Sequence, residues 1–216
     1  DIDNLAGSIQ LTNTNFIQNG KSVLVQNCEL SSQFNPKERS MYLKSDFADA
    51  EIKGDFNLQN MGTTLRKMLA NYIPAVVEVE DSKKNIPSQN FEFKFLAKKS
   101  EALSLVLFEN LCIYSNTIAS GSYNSLENTV KLTASAPLLE IFDKKITNLV
   151  VDSKNESNQL NLSLAAKNFM LTDSNSIKNV LIYASASNDS MKFKTQWVNN
   201  DLLNNKGKLS GYAAFE

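Results

Sequence analysis

The sequence predicts a mainly β protein: a large antiparallel curved sheet folded over on itself, taco-like or β-sandwich-like, with one short amphipathic helix around residues 60–73. Three observations lead to this prediction. Segments of alternating apolar and polar residues recur along most of the chain, between turns rich in Asn, Ser, Asp and Lys. A two-strand motif repeats at a fixed spacing, and one segment has a helical period. A sheet of roughly ten or more strands usually curls over or splits into two layers.

The repeat is the most informative of these signals. The stretch Ile146–Ser153, followed by Leu160–Leu164, recurs 31 residues later as Ile177–Ala184, followed by Met191–Thr195. A fixed period that carries two strands predicts a β-repeat array, in which each unit buries its apolar face by stacking on its neighbours. Such an array presents a long surface instead of a closed pocket, so the sequence indicates shape more than chemistry.

The N-terminal part of the chain predicts a meander of four strands. Asn19-Gly20 is a strong hairpin signal, because both central positions of the favoured turn need a positive φ. Asn35-Pro36 marks the next turn. The predicted strands span residues 8–16, 23–30, 41–47 and 50–56.

The hydrophobic period changes between about residues 60 and 73. Apolar residues there recur at helical spacing, and Pro74 ends the pattern. Arg66 and Lys67 lie off the apolar stripe, so the helix could rest on a lipid surface. More often a helix of this kind closes the end of a sheet, and we expect that arrangement. The stripe consists of Met61, Leu65, Met68, Leu69, Tyr72 and Ile73.

A polar linker, Glu80–Ser88, divides the chain into a meander with its helix (residues 1–80) and a β-repeat segment (residues 81–216). We expect the two to be continuous as one domain. Beyond the linker, Asn90–Phe95 alternates strictly and carries three phenylalanines on one side. Strand patterns return at residues 118–123 and 129–134 and in the repeat, whereas residues 100–107 fit a helical turn and a strand equally well.

Composition argues against several functional classes. The net charge is −1, from 22 Lys and Arg against 23 Asp and Glu, so no basic excess exists to bind nucleic acid. No apolar run approaches the ~20 residues of a transmembrane helix. The sequence contains no histidine, which removes imidazole-based catalysis and metal binding. GxxxxGK[ST], GxGxxG and GxSxG motifs are also missing. We therefore expect no enzyme activity, no cofactor and no metal.

Acidic residues leave two other kinds of site open. Asp46 with Asp49, or Glu78 with Glu80, could form a carboxylate pair for glycoside hydrolysis, although such pairs are far more often solvated turn residues. Calcium binding near turns is the second option, and ordinary turn chemistry is again the favoured interpretation. The aspartates concerned are Asp152, Asp173 and Asp189.

Cys28 and Cys112 are the two cysteines, and they have no CxxC spacing. A sulfur-based zinc site is therefore excluded. Two buried small apolar side chains are the favoured interpretation, with one disulfide as the alternative.

Several stretches together resemble the Bacteroidetes branch of the TamB/AsmA-like (translocation and assembly module) family of large envelope proteins. They are Gly7–Phe16 with Asn19-Gly20, Leu43–Phe56, the Leu65–Pro74 helix and the repeated Ile/Asn/Leu pairs of the second half. The passage from Gly54-Asp55-Phe56 into the helix is the most distinctive piece. The resemblance covers most of the chain and is weakest at residues 100–114.

This resemblance implies a sheet folded lengthwise around an apolar groove, as an internal portion of a long run of β-repeats. It implies an inner-membrane anchor elsewhere in the parent protein, a periplasmic location for this part, and transport of phospholipid between the inner and outer membranes. A role in outer-membrane protein assembly is implied as well. The expected partners are phospholipid or another acyl-chain ligand and outer-membrane assembly proteins.

The residue pattern supports a groove independently, because strands with one apolar face must hide that face. Burial stabilises an acyl chain by about 0.8 kcal/mol per CH₂, on the order of 12 kcal/mol for about 16 carbons. The candidate groove residues are Ile9, Leu11, Met41, Leu43, Phe91, Phe93, Phe95, Leu160, Leu162, Leu164, Met191, Phe193 and Trp197.

The main alternative is a β-rich surface or adhesin module that binds protein or glycan. It predicts exposed aromatic residues on outward faces or turns. Trp197 is the candidate for such a residue, but it shares parity with Met191 and Phe193, which points it inward. An enzyme that uses paired acids is a third, weaker option.

Overall fold

The computed structural model describes residues 6–18, 21–35, 38–72, 87–99, 111–142, 144–156, 158–172, 175–199 and 205–215. Several features of the sequence lie outside these ranges: Asn19-Gly20, Pro36, Glu78, Glu80, most of the polar linker, residues 100–107 and Asp173.

The described chain consists of thirteen strands and one helix. The strands are β1 (Gly7–Gln18), β2 (Lys21–Asn35), β3 (Glu38–Ser45), β4 (Ala48–Asp55), β5 (Asn90–Ala97), β6 (Leu111–Ile113), β7 (Ile118–Asn124), β8 (Thr129–Ile141), β9 (Lys144–Glu156), β10 (Gln159–Met170), β11 (Ser176–Ser187), β12 (Ser190–Val198) and β13 (Lys206–Ala214). The helix, α1, spans Met61–Ala70.

All thirteen strands belong to one antiparallel sheet, in the order β1-β2-β3-β4-β5-β7-β8-β9-β10-β11-β12-β13. The short strand β6, which the sequence did not predict, pairs with β8. The sheet is not closed, since β1 and β13 lie at its two ends. The predicted class, a large antiparallel β-sheet with one short helix, is confirmed.

The 31-residue repeat of the sequence is also a repeat of strand register. Leu162 lies opposite Ser153 in the β9–β10 pair. The residues 31 positions further on, Phe193 and Ala184, lie opposite each other in the β11–β12 pair. The two hairpins are therefore equivalent units, residue for residue.

Asparagines in a left-handed conformation interrupt three long strands. Asn13, Asn148 and Asn179 have φ values between 47° and 50°, and the last two occupy equivalent repeat positions. Such a residue bends a strand and shifts its alternation by one position. Ile146 and Leu149 are consequently both buried although they are three residues apart. Each long strand therefore keeps apolar residues on the same face before and after its bend.

Helix α1 lies against the sheet instead of extending from it. Thr64 and Met68 are buried, and Arg66 faces solvent. The helix ends at Ala70, and Tyr72 follows in a turn, so it is shorter than the predicted 60–73 segment. No helix in the described ranges is long and apolar enough to cross a membrane.

The contacts of this helix show that the sheet is curved. The Thr64 hydroxyl accepts a 2.7 Å hydrogen bond from Gln89, next to β5, while the Tyr72 carbonyl accepts one of 3.1 Å from the backbone N–H of Asp189, between β11 and β12. The eight-residue step from Thr64 to Tyr72 extends about 12 Å at the rise of a helix, but five strand spacings in a flat sheet would extend roughly 24 Å. The sheet therefore wraps around the helix.

Candidate functional site

The strand registers place all thirteen candidate groove residues on one face of the sheet. We call this the inner face, because α1 packs on it, and the opposite side the outer face. One line of directly opposed inner-face residues, the central row, crosses twelve strands without a break. It consists of Ile9, Leu30, Leu43, Ala50, Phe95, Ala119, Ala134, Val151, Leu164, Ile182, Thr195 and Leu209. Eleven of the twelve are apolar, and the row extends roughly 50 Å at about 4.8 Å per strand.

The candidate residues differ in how far they are covered. Met41 and Phe91 are buried near the helix, in one cluster with Met68, Tyr72 and other side chains. Leu162, in contrast, keeps 36% of its surface exposed. The remaining candidates on β3, β5, β10 and β12 are half-buried. The inner face is therefore partly filled by its own side chains and partly open.

An apolar cavity of about 520 Å³ lies in the inner face between β2 and β8. Its walls include five of the thirteen candidate residues, and Met61 of the helix contributes to them. The apolar lining residues are Leu30, Met41, Leu43, Ala50, Ile52, Met61, Phe91, Phe93, Phe95, Tyr123, Val130 and Leu132. We call this concave, partly open inner face the trough.

Polar contacts around Tyr72 hold the helix against the trough. The Tyr72 side chain is almost fully buried, with 1% of its surface exposed. Its hydroxyl oxygen accepts hydrogen bonds from Nδ2 of Asn155 at 2.8 Å and from Nδ2 of Asn128 at 3.3 Å. Asn155 Oδ1 in turn accepts from the backbone N–H of Val130 at 2.7 Å. We call Tyr72, Asn128 and Asn155 the latch, since they join the helix to β8 and β9.

Aromatic rings cover glycines on neighbouring strands of the inner face. Trp197 lies over Gly207 and Phe193 over Gly211, so a Cβ atom at either glycine would overlap the ring. These pairs are cross-strand neighbours in the β12–β13 register. Such coverage of strand glycines stabilises pairing. Trp197 is half-buried on the inner face, the side to which its parity with Met191 and Phe193 assigned it.

Most charged residues of the strands that form the cavity alternate onto the outer face; Arg39 of β3 is the exception, since it has the parity of Met41, is buried, and donates a hydrogen bond to the carbonyl of Phe56. Both members of the acid pair Asp46 and Asp49 contact lysines: Oδ2 of Asp46, in the bend between β3 and β4, lies 2.9 Å from Nζ of Lys99, and Oδ1 of Asp49, on β4, lies 2.5 Å from Nζ of Lys98. Burial opposes the ionised form of Asp46, but the hydrogen bond from Lys99 and backbone hydrogen bonds outweigh it and lower its pKa. The lowered pKa of Asp46 is the opposite of what a general acid needs, because it keeps the carboxyl ionised at neutral pH.

The aspartates considered for calcium do not assemble into a site. Asp152 lies within β9 and not near a turn, which corrects the prediction, while Asp189 is in the turn after β11. Among the described residues, no group of three or more His, Cys, Asp or Glu side chains could hold a metal ion.

Both cysteines are free thiols and half-buried. Burial, together with the nearby Asp46 carboxylate, raises the pKa of Cys28. A raised pKa leaves the thiol protonated and unreactive at neutral pH.

Sequence reasoning missed two sets of residues. Inner-face residues such as Ile52, Leu132 and Ile182 belong to the trough, and strand alternation could have found them. On the outer face, Tyr183 and Tyr212 are exposed by 47% and 63%, and they belong to the class of outward aromatic residues for which Trp197 was the candidate.

Comparison with known proteins finds no relative whose site could be compared with this one. No family model, no curated protein and no solved structure matches the chain.

Proposed function

We propose that the trough is a non-enzymatic binding surface for the acyl chains of phospholipid. The observation that carries the proposal is the cavity of about 520 Å³ with its apolar lining. Concave, mostly apolar cavities of roughly 300–1,000 Å³ are typical of small-ligand sites. The continuous central row supports it further, because the apolar surface extends beyond the cavity across the sheet.

The dimensions of the cavity suit one acyl chain. Its lining comes from six neighbouring strands, β2, β3, β4, β5, β7 and β8, which extend roughly 24 Å across five strand spacings. Two acyl chains end to end fill the ~30 Å hydrocarbon core of a bilayer, so one chain occupies about 15 Å. A chain lying across the strands therefore fits within the cavity.

The energetics favour uptake without fixing the ligand in place. An acyl chain of about 16 carbons that is half covered gains on the order of 6 kcal/mol, from about 0.8 kcal/mol per buried CH₂. This apolar attraction has no preferred direction, so the chain can move along the central row. We propose on this basis that the protein conducts phospholipid rather than storing it.

The resemblance to TamB/AsmA-like proteins supports a specific setting for this activity. We propose that the chain belongs to the periplasmic part of a membrane-anchored envelope protein that carries phospholipid between the inner and outer membranes during outer-membrane biogenesis. Association with outer-membrane assembly proteins is part of the same proposal.

Site-specific photo-crosslinking tests the proposal directly. Leu162 is on the inner face and its neighbour Asn161 is on the outer face, opposite Lys154 and Ser185. With a photoreactive residue at one position or the other, and vesicles of radiolabelled phospholipid, we expect lipid adducts at position 162 and few at 161. Equal labelling of the two positions would contradict an inner-face trough.

A cavity-filling substitution provides an independent test. Ala50 lines the cavity, so Ala50→Phe should lower the binding of a fluorescent phospholipid. Thr133→Phe places the same side chain at an exposed outer-face position and is the matched control. Unchanged binding in a folded Ala50→Phe protein would argue against the cavity as the binding site.

A second candidate function, a surface module that binds glycan or protein, is favoured by the exposed outer-face Tyr183 and Tyr212. Tyr183, Lys192 and Lys194 line an outer-face depression of about 360 Å³, and aromatic faces beside polar groups suit such partners. Two results together would favour this function: the protein binds a glycan on an array and Tyr183→Ala abolishes that binding, and no lipid adducts form at position 162.

A further inference from the structure

Positive charge on the outer face is concentrated on one half of the sheet. Two neighbouring lines of directly opposed outer-face residues cross from β3 to β12, one from Ser40 to Lys192 and one from Tyr42 to Lys194. Over β3, β4, β5 and β7 these lines carry two lysines and two glutamates. Over β8 to β12 they carry four lysines and one aspartate, and we call this part of the two lines the basic patch. Its charged residues are Lys131, Lys154, Lys192, Lys194 and Asp152.

Stability of the sheet does not account for the basic patch. Lys131 and Lys154 lie directly opposite each other in the β8–β9 pair, and like charges in such a position destabilise a sheet. The repeat does not require Lys192 and Lys194 either, because the equivalent positions of β10, 31 residues earlier, hold an asparagine and a serine. Neither Lys192 nor Lys194 forms an ion pair with a carboxylate of the described residues. The positive charge is therefore in excess of what the fold uses, and it suits an anionic ligand.

The outer-face depression of about 360 Å³ lies within the basic patch. Lys154, Lys192 and Lys194 line it, against the single carboxylate of Asp152. It extends from β9 to β12, and each of these strands is paired on both sides, so its shape does not depend on an edge of the sheet. Its volume is roughly ten times the ~30 Å³ that a water molecule occupies in the liquid, and it falls in the ~300–1,000 Å³ range of small-ligand sites. The depression therefore has room for a small organic anion and is far larger than a lone ion needs.

The uncharged lining of the depression suits a sugar. The Asn161 amide and the Ser163 and Ser185 hydroxyls line it between the lysines, and such groups both donate and accept hydrogen bonds, as sugar hydroxyls do. The Tyr183 ring is 47% exposed beside them and offers an apolar face with a polar tip. A protein partner needs a far larger contact, about 1,600 Å² in a standard interface. The lining and the size together favour a glycan.

We propose that the outer-face depression binds an acidic glycan, that is, an oligosaccharide that carries carboxylate or phosphate groups. The lysine amines contact the acidic groups through charge-assisted hydrogen bonds, while Tyr183 and the uncharged polar side chains contact the sugar rings. This inference rests on the second candidate function, since it names the ligand class of the same depression. It is independent of the trough, which lies on the opposite face.

Isothermal titration calorimetry with matched pairs of tetrasaccharides tests the proposal. Tetragalacturonate is compared with its uncharged methyl ester, and phosphorylated maltotetraose with maltotetraose, so that carboxylate and phosphate are assayed separately. We expect at least one acidic member to bind roughly tenfold or more tighter than its uncharged counterpart, because up to three exposed charge contacts are added. Its affinity should fall as the salt concentration rises from about 0.01 M to about 0.15 M, since the screening length shortens from about 30 Å to about 8 Å.

Single lysine substitutions locate the binding. Lys192→Gln and Lys194→Gln should each weaken the acidic tetrasaccharide by roughly three- to fivefold and should keep the melting temperature, because both side chains are exposed. Lys94→Gln is the matched control. It removes a lysine from the other outer-face depression, between β2 and β5, whose lining contains three acidic residues and two lysines, and it should leave the affinity unchanged.

Four results would overturn the proposal. Equal affinity for acidic and uncharged tetrasaccharides, lost in Tyr183→Ala but kept in the lysine variants, would leave the glycan function standing and refute the acidic class. Absence of saccharide binding would refute both. An equal loss in Lys94→Gln would show attraction by overall charge instead of a site. Binding of anionic vesicles that Lys192→Gln abolishes, without saccharide binding, would assign the basic patch to a membrane surface.

Discussion

The latch makes the docking of helix α1 open to measurement through the single substitution Tyr72→Phe. This change removes one oxygen atom and keeps the aromatic ring in its buried position. It deprives Nδ2 of Asn128 and Nδ2 of Asn155 of their acceptor. Nδ2 of Asn155 keeps its hydrogen bond to the carbonyl of Asn128, so Asn155 loses only one of its two acceptors.

The expected cost follows from these two hydrogen bonds. A hydrogen bond of this kind contributes about 0.5–1.5 kcal/mol net, so Tyr72→Phe should lower the free energy of unfolding by about 2 kcal/mol. For a chain of this length, each kcal/mol shifts the melting temperature by roughly 2–4 °C. The melting temperature should therefore fall by about 4–8 °C.

Urea unfolding and thermal melting followed by circular dichroism measure this effect, with Tyr183→Phe as the matched control. Tyr183 is exposed on the outer face, so its control variant should stay within about 0.5 kcal/mol of the unmodified chain. Hydrogen exchange should also become faster in α1 of the Tyr72→Phe protein. Equal stability of the two variants would refute the idea that the latch holds the helix on the trough.

Two further predictions concern the strand bend and an ion pair. Asn148 has a φ of 50°, a left-handed conformation that asparagine and glycine tolerate but a β-branched residue does not. Asn148→Gly should therefore retain full stability in urea unfolding, while Asn148→Val should lose about 1–2 kcal/mol. Equal stability of the two variants would contradict the bend. Asp46 has a lowered pKa through Lys99, so its contribution is present above the ordinary carboxyl pKa of about 3.9 and is lost as the pH falls below it. Lys99→Met should therefore lose less stability than the unmodified chain between about pH 5 and pH 3. The difference should be less than ~1 kcal/mol, because the Lys99 side chain is half exposed and solvent screens the pair. An unchanged pH profile would count against the ion pair.

Much of the sheet follows from local sequence pattern. Strict alternation in Asn90–Phe95 predicted a strand with Phe91, Phe93 and Phe95 on one face, and β5 has that arrangement. The helical stripe identified α1 to within a few residues at each end. Strand β6 escaped prediction because its three residues, Leu111–Ile113, are too few to show a period.

The site was less predictable than the strands. Alternation assigned Leu160 and Leu162 to one face, but it carries no information on whether that face is filled or open. The bend at Asn148 also breaks the two-residue period, so Ile146 and Leu149 face the same side against simple parity. The exposed Tyr183 and Tyr212 could be recognised as parts of one surface only from the register, which places their strands, β11 and β13, on either side of β12.

The sequence by itself determined the strands, the 31-residue unit and the apolar side of each strand, because alternation is a property of a few successive residues on an extended backbone. Tertiary structure decided the course of the central row, the docking of α1 by Tyr72 and the presence of a cavity of about 520 Å³. The volume of a cavity is the difference between the volume that a curved sheet encloses and the volume of the side chains within it. That difference depends on residues far apart in the chain, such as Leu30 and Leu132, and no local pattern contains it.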